Sequence, residues 1–199
     1  MGFKIGWIAV KDSEPAAIHK MLSLSPSGER EEFPDSPIAG VELPNGWYLV
    51  HFNDFLAPAL EEESVSRVSS LGDVVACQVH EGIMVSMASG YKSGQLVWSV
   101  VHNAQEALEH LETRGSLPGE FEGIKSKKIQ EQAQDDEGMV DYIFDIPVDM
   151  ARAYVGYRYD QALPNESELP FQVLEQKQSI PGPELKETSK TPAWMFWKK

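Results

Sequence analysis

The sequence predicts an α+β fold: a predominantly antiparallel sheet of about six to eight strands, with about four helices packed mainly on one face. Three observations predict it. Residues 73–114 are rich in strand formers and broken by turn residues at regular intervals, which reads as a four-strand antiparallel meander. Residues 38–43 and 47–52 flank Pro44-Asn45-Gly46, a hairpin signal because Asn-Gly tolerates positive φ. Four other segments carry apolar residues at helical spacing. Two small sheets meeting at the second helix is the alternative arrangement.

In chain order, residues 3–10 form a strand in which Trp7 supplies bulk and Gly6 permits close backbone approach. Asp12, Ser13, Glu14 and Pro15 suit the first turn of a helix, and Ala17, Ile18, Met21 and Leu22 give it one apolar face. Residues 28–37 read as an acidic loop before the hairpin. A helix over 59–71 follows, its first turn carrying Glu61, Glu62 and Glu63 where the helix dipole favours acids. Val65, Val68 and Leu71 face inward, and Gly72 ends the helix. After the meander, Leu117, Phe121 and Ile124 mark a third helix over 119–134. Lys125, Lys127 and Lys128 sit on it as the domain's single basic cluster, read as a solvated face rather than an anion site. Alternation around Asp141 suggests a short strand over 140–144. Asp145-Ile146-Pro147 then starts a fourth helix, with Ile146, Met150, Ala153, Tyr154 and Tyr157 at helical spacing.

The expected domain covers residues 1–159. Residues 160–199 read as a proline-rich, extended C-terminal arm, sparse in apolar residues until Trp194, Met195, Phe196 and Trp197, which precede Lys198 and Lys199. Those four large apolar side chains are the candidate partner-binding residues. They imply docking in an apolar groove, on the chain's own domain, on a twin chain in a homo-oligomer or on a protein partner, because leaving all four in water would promote aggregation.

Composition narrows the function classes. A net charge of −14 argues against nucleic acid and against anionic membranes, both of which need a basic face. No run reaches the ~18 apolar residues of a membrane helix, so the expected location is the cytoplasm. The one cysteine, Cys77, lies within an apolar strand and reads as a small buried hydrophobe.

Three stretches carry a resemblance: Gly-Trp-Ile-Ala-Val-Lys at 6–11, Asn-Gly-Trp-Tyr-Leu-Val at 45–50, and Asp-Tyr-Ile-Phe-Asp-Ile-Pro-Val at 141–148. Together they resemble a group of bacterial proteins of unknown function. The resemblance covers the folded domain and implies no activity, cofactor or catalytic residue.

Chemistry-bearing constellations are sparse. His80, His102 and His110 lie near the ends of successive strands, so with Glu81, Glu109 or Glu112 they are the candidate ligands of a zinc or iron site. No two histidines share the i, i+2 or i, i+4 spacing that places ligands on one element, so no metal and no cofactor are expected. Gly90-Tyr91-Lys92-Ser93-Gly94 puts its serine in the wrong place for a nucleophile elbow. The glycines form no phosphate-binding fingerprint. The expected function is therefore a non-catalytic, acidic protein-binding or interaction module. The alternatives are a small hydrolase or metal-dependent enzyme using carboxylate and histidine groups at one end of the sheet, and a small-molecule binder in a sheet–helix cleft.

Overall fold

The computed structural model describes residues 2–135, 140–163 and 170–177. Among them, nine strands form one antiparallel sheet accompanied by four α-helices. The strands are β1 (Lys4–Lys11), β2 (Leu24–Glu31), β3 (Ile38–Glu42), β4 (Trp47–Phe52), β5 (Val74–His80), β6 (Val85–Lys92), β7 (Gln95–Asn103), β8 (Glu112–Gly115) and β9 (Phe171–Gln176). Their order across the sheet is β2-β9-β3-β4-β1-β5-β6-β7-β8. The helices are α1 (Pro15–Met21), α2 (Glu62–Val68), α3 (Phe121–Gln134) and α4 (Asp145–Val155).

β1 is the central strand, and its residues 5–10 are all buried. Its run Ile-Gly-Trp-Ile-Ala-Val is apolar on both faces, the pattern of a strand covered from both sides. Trp7 and Ala9 face one core, together with Leu49, Val75, Cys77 and Val100. Ile8 and Val10 face the other, together with Val50, Val74 and Ala76. Helices must therefore cover both faces. Ile18 of α1 and Val65 and Val68 of α2 pack into the second core. Phe121 of α3 and Ile146, Met150 and Val155 of α4 pack into the first. This corrects the expectation of helices mainly on one face, and a single sheet replaces the alternative of two.

The β3–β4 hairpin follows its sequence signal. Ile38 pairs with Phe52 and Glu42 with Tyr48, and Gly46 takes φ +80° at the turn. Strands β5, β6, β7 and β8 are consecutive neighbours, each antiparallel to the next. α2 is shorter than expected: Pro58–Leu60 forms a separate 3₁₀ turn, and Glu61 is the residue before the helix.

Three expectations fail for identifiable reasons. The acidic loop begins later than read, because 24–31 is β2. That strand is polar and lies at the sheet's edge, so it carries little hydrophobic alternation; Pro26 and an irregular register between Pro26 and Arg30 blunt it as a pairing edge. Residues 140–144 form no strand. Their apolar members Ile143 and Phe144 are buried because they lead into α4, and the Phe144 N–H donates to Asp141 Oδ1 at 3.1 Å in a turn. Last, the boundary after residue 159 leaves β9 outside the domain, whereas the sheet takes it in between β2 and β3. Phe171 and Leu174 are buried in opposite cores. Trp194, Met195, Phe196 and Trp197 lie outside the described residues. No described helix is long and apolar enough to cross a membrane.

The position of β9 makes a direct prediction. A chain ending at residue 177 keeps β9 and should still unfold in a single cooperative transition. A chain ending at 159 loses both buried β9 anchors, and removing a single buried Phe already costs about 3–5 kcal/mol. It should show a broad, early transition by circular dichroism.

Candidate binding cleft

α1 is only seven residues long, and Pro15 at its start pre-sets the first turn. Ile18 anchors it to the sheet. The next residue, His19, is buried against β4, its Nε2 lying 2.6 Å from Tyr48 Oη with the two rings edge-on at 5.4 Å. Tyr48 extends across β3 over Gly40, where any Cβ would collide with the phenol oxygen. Glycine at 40 is thus a packing requirement.

Burial raises the Tyr48 phenol well above its usual range, and nearby Glu42 adds to the shift. Burial also lowers His19, assisted by the positive charge of Lys177. The pair is therefore neutral at neutral pH. The short contact is satisfied when the phenol O–H donates to Nε2.

Because α1 is short, it leaves part of β2 and β9 uncovered. A cleft of about 380 Å³ opens there, floored by Leu24 and His19 and walled by Pro15, Ala16 and Pro26. Its lining is mostly apolar, with Ser25 and Gln172 as uncharged polar groups and Lys20 and Lys177 as cations. A second hollow of about 240 Å³ adjoins it, sharing Pro15 and Gln172, and is lined by Tyr48, Val41, Arg30 and Glu42. Arg30 donates to the Pro170 carbonyl at 2.7 Å, which fixes the start of β9 against β2.

The candidate metal ligands do not converge. His80 lies on the face covered by α2, where its ring meets Phe55 edge-on at 5.5 Å. His102 lies on the opposite face and is fully buried beside Phe144. Its Nδ1 is 2.7 Å from the His110 carbonyl and its Nε2 is 3.0 Å from Asp141 Oδ2. Each ring nitrogen thus faces an oxygen at hydrogen-bond distance. Both ring nitrogens are occupied by these protein oxygens, and the side chain is closed off from solvent. His110 Nδ1 accepts from the Asn103 N–H at 3.1 Å. Among the described residues, no group of three His, Cys, Asp or Glu side chains is placed to hold a metal ion. The His102–Asp141 contact instead ties the segment before α4 to β7, beside the Ser86 hydroxyl that donates to the Phe144 carbonyl at 2.6 Å.

Two further features bear on chemistry. Burial pushes the Cys77 thiol up to about 12, so thiolate is scarce at neutral pH. Of the basic cluster on α3, Lys128 is consumed internally: its Nζ lies 3.1 Å from Glu131 and from Asp145, and 3.5 Å from Asp149. Arg158 joins the same network through Asp145, Asp149 and Asp160.

Sequence reasoning passed over the residues that build the cleft. His19 carries no local signal, and its partner Tyr48 lies on β4, three elements further along the chain. Lys177 and Gln172 fall in the segment read as an arm. Comparison with protein-family models, curated proteins and solved structures finds no match to this chain.

His51 gives a testable pH dependence. It pairs across β1 and β4 with Trp7, and both Trp7 Nε1 and His51 Nδ1 are buried without a hydrogen-bond partner among the described residues. Burial lowers His51 to about 4. The folded value lies below the unfolded one near 6.5, so the unfolded chain takes up the proton first. Stability should fall as pH drops from about 6.5 toward 4, by roughly 3 kcal/mol from this group. Denaturant titrations across that window should show a flatter profile for His51→Phe than for the unaltered protein.

Proposed function

We propose that this protein is a non-catalytic, cytoplasmic binding module. It holds a small anionic molecule with an apolar body in the cleft between α1, β2 and β9. The observation that carries the reading is the cleft's composition. A mostly apolar hollow of about 380 Å³ falls in the size range of small-molecule sites, and it places two lysines on a chain whose net charge is −14. Apolar walls provide burial for the body of the ligand. Lys20 and Lys177 attract its charge, and the Ser25 hydroxyl and Gln172 amide provide orientation. The neutral His19–Tyr48 pair stiffens the floor without adding a charge that the ligand must oppose.

A hydrolytic or metal-dependent reading has less support. Catalysis of that kind needs ionisable groups converging in a pocket. His102 is fully buried with both nitrogens engaged, and His80 faces the other side of the sheet.

Isothermal titration with indole-3-acetate and with decanoate tests the proposal, since each joins a carboxylate to an apolar body. At least one should bind, and inorganic phosphate alone should bind far more weakly. Lys20→Glu combined with Lys177→Glu should weaken the carboxylate at least fivefold, about 1 kcal/mol. Raising salt should weaken it as well, because exposed charge pairs are screened. No binding of either carboxylate, or binding unchanged in the double variant, would overturn the reading.

A further inference from the structure

One end of the sheet collects exposed apolar side chains. Register places the start of β1, the end of β4, the end of β5, the start of β6 and the end of β7 there together. Phe3 is 47% exposed, Leu56 51%, Ile83 37% and Leu108 56%. Hydrogen bonds tie the segments that carry them to their neighbours at this end. The Phe3 N–H donates to Glu81 Oε2 at 2.8 Å, and the Glu81 N–H donates back to the Phe3 carbonyl at 2.9 Å. Gln78 of β5 donates to the Phe55 carbonyl, next to Leu56. Gln105 donates to the Ile83 carbonyl, which brings the loop carrying Leu108 alongside.

Acids stand among these side chains. Asp54 accepts from the Leu56 N–H at 2.9 Å, Glu81 is fixed beside Phe3, and Glu106 accepts from Asn103 at 3.1 Å. Large apolar groups set among carboxylates call for an occupant with large apolar groups and positive charge.

The chain contains such an occupant. Trp194, Met195, Phe196 and Trp197 are followed at once by Lys198 and Lys199. The segment also leaves the fold in the right place. Ala39 pairs with Val173 and Leu24 with Gln176, so β9 ends at this same end of the sheet, where the Lys177 N–H donates to the Ser23 carbonyl. Four strand spacings of about 4.8 Å, roughly 20 Å, separate β9 from β5. Residues 178–193 can span up to about 50 Å in an extended conformation.

We propose that residues 194–199 dock in cis on this end of the sheet. The aromatic side chains cover Phe3, Leu56, Ile83 and Leu108, and the two lysines lie against the acids between them. The proposal stands apart from ligand binding in the cleft.

Tryptophan fluorescence of the full chain tests it. Trp7, Trp47 and Trp98 are buried, at 1%, 7% and 3% exposure, and a full-length W194F/W197F chain supplies their baseline. The difference signal from Trp194 and Trp197 should be blue-shifted and poorly quenched by acrylamide, at every protein concentration. Leu56→Asp with Leu108→Asp, at exposed positions, should raise the quenching constant of that signal severalfold. Lys198→Glu with Lys199→Glu leaves the body untouched and should raise it as well. Freely quenched emission in the unaltered chain overturns the proposal, as does protection that survives both double variants. Protection that appears only at concentrations where sedimentation shows a dimer also overturns it, because the occupant is then a second copy.

Discussion

The structure depends on the two-sided burial of its central strands. β1, flanked by β4 and β5, presents Trp7 and Ala9 to one core and Ile8 and Val10 to the other, each nearly inaccessible to water. Side chains the size of Ile8 and Val10 contribute about 1.5–3 kcal/mol each only if something covers them. Two helical layers are the outcome: α3 and α4 over one face, α1 and α2 over the other. The layers are unequal. α4 is 11 residues long and spans β5, β6 and β7, while α1 and α2 have seven residues each. A seven-residue helix is about 10 Å long, too short to roof the β2–β9 margin. The candidate cleft is that uncovered margin.

Much of this was legible in the sequence, and the failures share a cause. The Asn45-Gly46 pair made the β3–β4 hairpin readable, and turn residues at regular intervals separate β5, β6 and β7. β2 was missed because an edge strand with Ser, Pro and Gly has no apolar period to display. β9 was missed because its partners lie some 145 residues earlier in the chain, as in the pairing of Arg30 with Gln172. The two covered faces have a different signature: the run Ile5–Val10 holds no polar side chain, and a strand apolar at every position implies burial from both sides. Candidate site residues were the least legible. His80 and His102 lie on opposite faces because each strand's register sets its own parity, and a one-residue shift reverses a face. The His19–Tyr48 contact joins a helix to a strand with no spacing rule to announce it.

Charge has to be read at two ranges. The chain's −14 opposes any anion at a distance. At physiological salt, however, the screening length is about 8 Å, so carboxylates on remote faces contribute little within the cleft. Lys20 and Lys177 act at short range there, and Lys177 is close enough to His19 to help lower its proton affinity. On the α4 side, cations are instead consumed by their neighbours: Lys128 and Arg158 are both mostly buried among Asp145, Asp149 and their companions. The same chain thus neutralises one set of basic groups internally and leaves another at the rim of a hollow. That contrast locates the cleft better than net charge does.

β9 joins these features. It completes the sheet between β2 and β3 and buries Phe171 and Leu174 in opposite cores. Its Gln172 and the following Lys177 form part of the cleft wall. The chain then continues from the end of the sheet where Phe3 and Leu56 are exposed. A strand recruited from late in the sequence therefore sets both the shape of the cleft and the starting point of the C-terminal segment. Because β3 pairs with β9 at only two positions, Ala39 with Val173 and Gly40 with Gln172, the β2 side contributes the longer of the two ladders. Loss of β9 would remove the neighbour that holds β2 in the sheet. The cleft wall and the sheet edge are consequently one structural unit, and a substitution that weakens β9 pairing acts on both.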